Sequence, residues 1–161
     1  TRSGSLFVGG GWVNRSVSEV GGIVPACRGA VTPYGQGCPD SGNMVPILGA
    51  SDCPAIGRSL CLGEWTSPTV TANALFLAGI TRGSLPLAFL GAPKCTLLLN
   101  PRLLLDVGTV PIKGGRAGVT LPLPNSTALK GARIPFHCLN YPDAGVPGQV
   151  SMPAGLEITI Q

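Results

Sequence analysis

The stretch Gly155-Leu-Glu-Ile-Thr-Ile-Gln161 closes the chain and alternates apolar with polar residues without a break. Successive side chains of a β-strand point to opposite faces, so Leu156, Ile158 and Ile160 would face a core while the residues between them face water. The stretch therefore predicts an ordered final strand that packs on one face.

Similar apolar or alternating runs recur along the chain, each closed by Gly, Pro, Asn or Asp. Their spacing is typical of an all-β sandwich. In the run 117–123, Pro122 lacks a backbone donor, which predicts an edge strand. Residues 125–130 fit one short helical connector. About ten strands are expected, the clearest at residues 44–51, 58–65, 72–80, 95–100, 102–107, 117–123, 133–139 and 156–161.

Composition supports a single folded domain. The 161 residues include 24 glycines and 16 prolines, which excludes a helical bundle. Because 44% of the residues are hydrophobic and only 11% are charged, the chain does not have the balance of a disordered protein. A chain of this length suits one core. The predicted fold is an all-β, disulfide-bonded β-sandwich, Greek-key or jelly-roll-like, with an N-terminal strand-bearing arm.

Residues 1–32 form the predicted arm, and residues 33–161 form the predicted sandwich. Strand-like segments in the arm lie between glycine joints at 9–11 and 21–22. The segment is either the first hairpin of the sandwich or an arm that leaves its own body. In the second case residues 5–20 would complete a sheet of a neighbouring subunit. The apolar side chains donated to that subunit would be Leu6, Val8, Val13 and Val17.

Membrane spans and nucleic-acid binding are not expected. The longest apolar runs are far shorter than a spanning helix. The net charge of +4 comes from arginines and lysines that are spread along the chain without a cluster. The chain begins at Thr1 without a charged and apolar leader, which fits a mature product whose signal has been removed.

Six cysteines in a chain with one histidine predict disulfides, because no CxxC spacing or zinc-ligand grouping is present. Disulfides in turn indicate an oxidising, extracytoplasmic compartment. Six cysteines permit fifteen pairings. Cys53 and Cys61 flank a turn that would bring two neighbouring strands together, so we expect them to pair.

Several stretches from Tyr34 onward share their order with a known domain: Tyr34-Gly-Gln-Gly-Cys-Pro-Asp-Ser-Gly42, Ala74-Leu-Phe-Leu-Ala-Gly79, Leu85-Pro-Leu87, Gly91-Ala-Pro-Lys-Cys95, Thr120-Leu-Pro-Leu-Pro-Asn-Ser126 and Gly155-Leu-Glu-Ile-Thr-Ile160. On these stretches the chain resembles an uncharacterised all-β domain that recurs at the C-termini of large secreted bacterial proteins. The resemblance implies a secreted bacterial β-sandwich with Cys38 and Cys95 as a recurrent disulfide, and it implies no activity. Pairing of Cys27 with Cys138 then follows by elimination. The chain departs from the pattern by its four further cysteines.

No catalytic, cofactor or metal site is predicted. The one candidate general base, His137, alternates with inward-facing Phe136 and Cys138, which places it on the solvent face. The seven carboxylates are scattered singly, and no calcium-loop, phosphate-loop or nucleophile-elbow motif is present.

Aromatic residues and sequons give weaker hypotheses. Trp12, Trp65, Tyr34 and Tyr141 could form a sugar-stacking platform, although packing is the better interpretation without a local cluster. Asn14 and Asn125 each begin an N-x-S/T sequon and are candidate glycosylation sites.

The sequence as a whole favours a secreted, non-enzymatic structural protein that assembles with itself, in a filament or coat, through N-terminal strand donation. The alternative is an extracellular module that binds polysaccharide or a cell surface through a sandwich face. A hydrolase is a third class, since active sites can assemble from distant residues.

Overall fold

The computed structural model describes residues 31–161 in full and, before them, the backbone of two short strands. All regular structure in these parts is strand or short 3₁₀ helix, so the all-β prediction is confirmed. The strands are β1 (Gly4–Val8), β2 (Gly11–Arg15), β3 (Val31–Tyr34), β4 (Ile47–Ala50), β5 (Ser59–Trp65), β6 (Asn73–Gly79), β7 (Arg82–Pro86), β8 (Thr96–Leu99), β9 (Leu104–Pro111), β10 (Arg116–Pro122), β11 (Arg133–Tyr141) and β12 (Gly155–Thr159).

The strands form antiparallel sheets that pack as layers. The central sheet has five strands in the order β3-β12-β11-β6-β9, and a second sheet has the order β10-β5-β4. Strands β7 and β8 pair with each other, as do β1 and β2. The described strands therefore form two larger sheets and two two-stranded pairs.

The main core lies between the five-stranded and three-stranded sheets. Leu60 and Leu62 of β5 pack in one cluster with Phe76 of β6, Phe136 of β11 and Ile158 of β12. Each contributing strand places every second side chain in this layer, as the pleat requires. The final strand behaves as its alternation predicted, because Leu156, Ile158 and Ile160 are all buried.

A second core lies on the opposite face of the central sheet, under the β7–β8 hairpin. It contains Leu77 of β6, Leu97 and Leu99 of β8, and Met152. Strand β6 is consequently buried on both faces along most of its length. This explains its uninterrupted apolar sequence, since a strand covered on both sides has no wet face to supply polar residues.

Strand boundaries differ from prediction by a few residues. The run predicted at 102–107 is β9, which begins at Leu104 and continues to Pro111. Strands β3 and β7 were not predicted, because both are short and end at or near a proline. β10 lies at the edge of its sheet, as Pro122 indicated. The predicted connector at 125–130 contains a 3₁₀ helix at Thr127–Leu129, and further 3₁₀ turns lie at Ala88–Leu90 and Pro147–Gln149.

The predicted arm lies largely outside the described residues. Its two described strands pair with each other, Gly4 opposite Arg15. Strand β3 begins at Val31 and pairs with β12, so the predicted boundary between residues 32 and 33 falls inside a strand of the central sheet.

Candidate functional site

A pocket of about 260 Å³ opens beside the disulfide between Cys38 and Cys95. The disulfide itself is buried, and the Cα atoms of its two cysteines lie 5.1 Å apart. Cys38 is held by a backbone bond of 2.8 Å from its N–H to the carbonyl of Met152. The pairing implied by the resemblance is thus confirmed. The walls of the pocket are formed by loop residues that include Pro39, Asp40, Asn43, Pro93, Lys94, Val146 and Pro147.

Asp40 at the pocket wall ties its own loop to the segment at Ser67. Its carboxylate accepts bonds from the backbone N–H groups of Gly42, Met44 and Ser67 at 2.8 to 3.0 Å, and from the Ser67 hydroxyl at 2.9 Å. Four donors satisfy both oxygens, so Asp40 is a structural anchor and not a free acid at the site.

A chain of buried polar side chains runs through the interior behind this region. Asn140 Nδ2 donates to Glu64 Oε1 at 2.9 Å and lies 3.5 Å from Ser151 Oγ. The Ser151 hydroxyl donates to Asp143 Oδ2 at 2.7 Å. The thiol of Cys138 points at Glu64 Oε2 from 3.3 Å. Every polar atom of this network finds a partner, as buried polar groups require.

Burial perturbs two titratable members of the network, Glu64 and Cys138. Burial raises the pKa of Glu64 to about 7, and the bonds from Asn140 and Cys138 oppose that rise in part. Cys138 is also buried, and the same desolvation, with the carboxylate beside it, raises its pKa well above the ordinary value. Both groups therefore favour their neutral forms.

The sequence interpretation missed this network, although a signal was present. Alternation along β5 places Glu64 on the same face as Leu60 and Leu62, and alternation along β11 places Asn140 with Cys138. A polar residue at an inward position predicts a buried partner. The sequence alone does not show that Glu64 and Asn140, which are 76 positions apart, meet in the folded protein.

His137 is buried, so its predicted place on the solvent face is wrong. The backbone N–H of Leu98 donates to Nδ1 at 3.3 Å, which leaves Nε2 as the protonated nitrogen facing the carbonyl of Pro153 at 2.9 Å. Burial lowers the pKa of the imidazole to about 4. Alternation along β11 does direct His137 away from the main core. The face to which it points is not exposed to solvent, because strands β7 and β8 cover it.

Two of the predicted disulfides are wrong. Cys61 and Cys138 are free thiols, which excludes the pairs Cys53–Cys61 and Cys27–Cys138. Cys53 is disulfide-bonded, and none of the other described cysteines is its partner. Cys61 points to the outer face of its sheet, where its Sγ lies 3.5 Å from Thr120 Oγ1. Cys138 points into the main core, so the two thiols are directed to different layers.

The aromatic side chains do not share one platform. The Trp65 indole lies against Gly63 on the outer face of the three-stranded sheet. Tyr34 packs on the other side of the molecule, where its hydroxyl donates to Leu98 O at 3.1 Å and its ring lies 4.3 Å from the Arg82 guanidinium carbon. Tyr141 is exposed at the end of β11. Trp12 lies in β2, of which only the backbone is described.

Of the other predicted site residues, one lies within the fully described part of the chain and the others do not. Asn125 is exposed in the loop before the 3₁₀ helix at Thr127–Leu129, where a glycan would meet solvent. Leu6 and Val8 lie in β1, and Val13 and Asn14 lie in β2. Only the backbone of these two strands is described. Val17 and Cys27 lie outside the described residues entirely.

The described part of the chain holds no group of three metal-ligating side chains, and no helix in it is long and apolar enough to cross a membrane.

An exposed apolar surface lies at the start of β9. Leu103 and Leu105 are 53% and 65% exposed, and Ile80, beside the β6 partner of Leu104, is 68% exposed. Strand β9 pairs with β6 on one side, and no described strand pairs with its other edge. An unpaired edge that carries exposed leucines is a template for strand addition.

No protein-family model, curated protein or solved structure matches this chain. The class that the described residues define is an all-β, disulfide-bonded, layered domain.

Proposed function

We propose that the protein is a secreted, non-enzymatic structural protein that assembles with further copies of itself. The observation that carries the proposal is the open edge of β9, which no described strand pairs and where Leu105 is more than half exposed. Leu103, in the turn that precedes the strand, is also more than half exposed. A strand of a second molecule added here would satisfy the backbone and cover the leucines together.

The other edges of the two main sheets are less suited to strand addition. β3 carries Pro33 and β10 carries Pro122, and proline removes a ladder donor. β4 is only four residues long. Natural proteins block sheet edges with such devices, so the stretch of β9 from Leu104 to Asp106, before the bulge at Val107, stands out as a surface for contact.

The secreted, bacterial location rests on two observations. The Cys38–Cys95 disulfide fits an oxidising compartment. The resemblance noted from the sequence also belongs to secreted bacterial proteins. A filament or coat would then need a second contact, for which donation of residues 5–20 is our candidate.

Energetics set the scale of the contact. Burying a large apolar side chain contributes about 1.5 to 3 kcal/mol, and the exposed side chains at the start of β9 are already partly covered. Association costs about 4 to 15 kcal/mol, so one edge supports a weak, concentration-dependent contact and a stable polymer needs more.

Light scattering of the full-length protein from micromolar to millimolar concentration tests self-assembly. We expect the mean mass to rise with concentration. A version lacking residues 1–20 separates the contribution of the N-terminal strands from that of the body. A monomer at every concentration in both forms would refute the proposal.

The pocket beside Cys38–Cys95 favours a second function, an extracellular binding module for polysaccharide or a cell surface. It combines proline walls with the polar groups of Asn43 and Lys94. Retention on a glycan array that Lys94→Ala abolishes, in a protein that stays monomeric, would replace the first proposal by this one. Lys113→Ala, at the tip between β9 and β10, is the matched control.

A further inference from the structure

The pocket beside the Cys38–Cys95 disulfide lies between three loops, at residues 38–43, 92–95 and 145–150. Each loop is closed by a backbone hydrogen bond between two of its own residues. The pairs, with the donor first, are Asn43 with Asp40, Cys95 with Ala92, and Gln149 with Val146, at 2.9 to 3.1 Å. The walls of the pocket are therefore turns of defined shape.

The three loops are also fixed to one another. The disulfide joins the first loop to the second. The N–H of Ser41 donates to Asp143 Oδ2 at 3.2 Å, which ties the first loop to the segment that leads into the third. Gly148 lies so close to the second loop that a Cβ there would be 2.7 Å from the backbone nitrogen of Ala92. Because the loops hold each other in place, the cavity is formed before a ligand binds, and binding costs little ordering of the protein.

Three exposed polar side chains line this pocket without a role in the fold. They are the hydroxyl of Ser41, the amide of Asn43 and the ammonium of Lys94. None of these side chains has a hydrogen-bond or ion-pair partner among residues 31–161. A few convergent polar groups on an otherwise apolar wall are typical of a small-molecule site.

Lys94 carries the charge that a ligand would meet. The other charged residue at the wall, Asp40, is 2% exposed, and both of its oxygens are already occupied by the four donors described above. The cation at the pocket thus has no counter-ion within the described residues. It favours a ligand with an anionic group, because a hydrogen bond between charged partners is stronger than a neutral one.

The remainder of the wall and the size of the cavity restrict the ligand further. Pro39, Pro93 and Pro147 supply rigid apolar surface against which C–H groups can pack. The volume of about 260 Å³ is just below the range of about 300 to 1,000 Å³ that drug-sized ligands use, so a single sugar ring is of suitable size. A sugar ring presents C–H faces to the prolines and hydroxyls to Ser41 and Asn43, whose side chains both donate and accept.

We propose that the pocket binds one uronic acid unit of an extracellular polysaccharide. The carboxylate of the sugar pairs with Lys94, its hydroxyls bond to Ser41 and Asn43, and its ring packs on the prolines. The proposal rests on the second function proposed above, a binding module, and names the sugar class that the pocket selects. A neutral sugar leaves Lys94 without a partner and binds more weakly.

Matched polysaccharides test the selection for a carboxylate. Polygalacturonate, alginate and hyaluronan are each immobilised beside the carboxyl-reduced form, which keeps the linkage and loses the charge. We expect retention of the full-length protein by at least one acidic polymer. Binding to its reduced form should be about tenfold weaker, since a hydrogen bond to a charged group is lost.

Variants at the pocket test the residues. Lys94→Ala should weaken binding about tenfold or more, and Lys94→Arg should retain most of it because the charge remains. Asn43→Gly removes the amide without straining the turn, because Asn43 has a φ of 61°, which glycine adopts freely. It should weaken binding severalfold. Lys113→Ala, at an exposed position between β9 and β10, is the control and should bind as the wild type does. Circular dichroism shows that each variant is folded.

A chemical footprint locates the contact without any substitution. The chain has three lysines, Lys94, Lys113 and Lys130, and all three are exposed. An acidic oligosaccharide from the retained polymer should protect Lys94 from acetylation and leave the other two reactive, as read by peptide mass spectrometry. Equal protection of all three lysines would contradict binding in the pocket.

The outcomes separate this proposal from the one on which it rests. Equal retention on the acidic and reduced polymers refutes selection for a uronic acid and leaves the binding module standing. Equal losses in Lys94→Ala and Lys113→Ala assign binding to the net positive charge and refute the pocket as the site. No retention on any polymer, acidic or neutral, refutes both the uronic acid site and the polysaccharide-binding module.

Discussion

The side-chain amide of Asn140 donates a 2.9 Å hydrogen bond to Glu64 across the main core and thereby joins the two sheets. The bond ties β11 of the central sheet to β5 of the three-stranded sheet. Both residues are almost fully buried, so the contact exists only in the folded state. Its chemistry makes the stability of the protein depend on pH.

Glu64→Gln should reduce the loss of stability that accompanies a rise in pH from 4.5 through 7. The folded pKa of Glu64 is about 7 against an ordinary 4.5, so the folded state holds this proton more tightly than the unfolded state. The stabilisation is complete below pH 4.5 and is lost as pH rises through 7, amounting to about 3 kcal/mol. We expect the variant to gain stability relative to the wild type over that window, as measured by denaturant unfolding at each pH. Glu157→Gln, which removes a carboxylate from the partly exposed ion pair with Arg82, is the matched control for the loss of a charge outside the core.

His137→Ala should destabilise the protein by about 2 to 4 kcal/mol, because it opens a cavity and leaves the Leu98 N–H and the Pro153 carbonyl without their partner. Chemical unfolding at neutral pH measures this. An unchanged midpoint would contradict the buried position of the ring.

The pH dependence of His137 has the opposite sign to that of Glu64. Its folded pKa is about 4 against an ordinary 6.5, so the folded state excludes the proton. The wild type should lose stability as pH falls from 6.5 towards 4, and His137→Gln should lack this loss. The two groups act over overlapping windows, so the wild-type profile is flatter than that of either variant. Parallel profiles for wild type and His137→Gln would be inconsistent with this assignment.

The two free thiols should differ in reactivity. Cys61 is partly exposed, whereas Cys138 is fully buried and its pKa is raised. Alkylation follows thiolate fraction and access. We expect a thiol reagent to modify Cys61 in the native protein and Cys138 only after unfolding, as read by peptide mass spectrometry. Rapid native labelling of Cys138 would show that the core opens.

Removing the disulfide with Cys38→Ala and Cys95→Ala should lower stability by about 4 kcal/mol, because the bond closes a loop of 57 residues. The matched control is Cys61→Ala, which removes a thiol without a bond and should change stability by less than about 1 kcal/mol. Thermal unfolding of both variants under the same conditions makes the comparison. Equal losses of stability in the two variants would mean that lost side-chain packing, and not the loss of the covalent bond, causes the destabilisation.

Gly155→Ala should destabilise the edge of the central sheet. A Cβ at this position would lie 2.5 Å from the Tyr34 ring, which also contacts the Arg82 guanidinium. Overpacking of this kind costs about 1 to 3 kcal/mol. Tyr34→Phe, which removes only the hydroxyl bond to Leu98, is the control for the ring, and the two variants should be compared by denaturant unfolding. A tolerated Gly155→Ala would mean that the ring shifts freely.

Local pattern was sufficient for much of the fold. The alternation of Leu156, Ile158 and Ile160 identified the last strand and its buried face. Pro122 identified an edge, since the missing donor is a property of the residue alone. The Cys38–Cys95 pair came from resemblance and not from spacing, and the spacing argument for Cys53 with Cys61 failed, because a turn between strands does not decide where their side chains point.

By itself, the sequence determined the all-β class, most strand positions and the main core, because these depend on periodicity and turn residues within short windows. Only the tertiary structure decided that a second layer covers the central sheet, which buries His137, and that Glu64 meets Asn140 and Cys138 in the interior. It also decided which edge stays open, because the same leucines would be buried if a further strand paired with β9. These features depend on contacts between residues far apart in the chain, and no local pattern encodes which distant partner a face will meet.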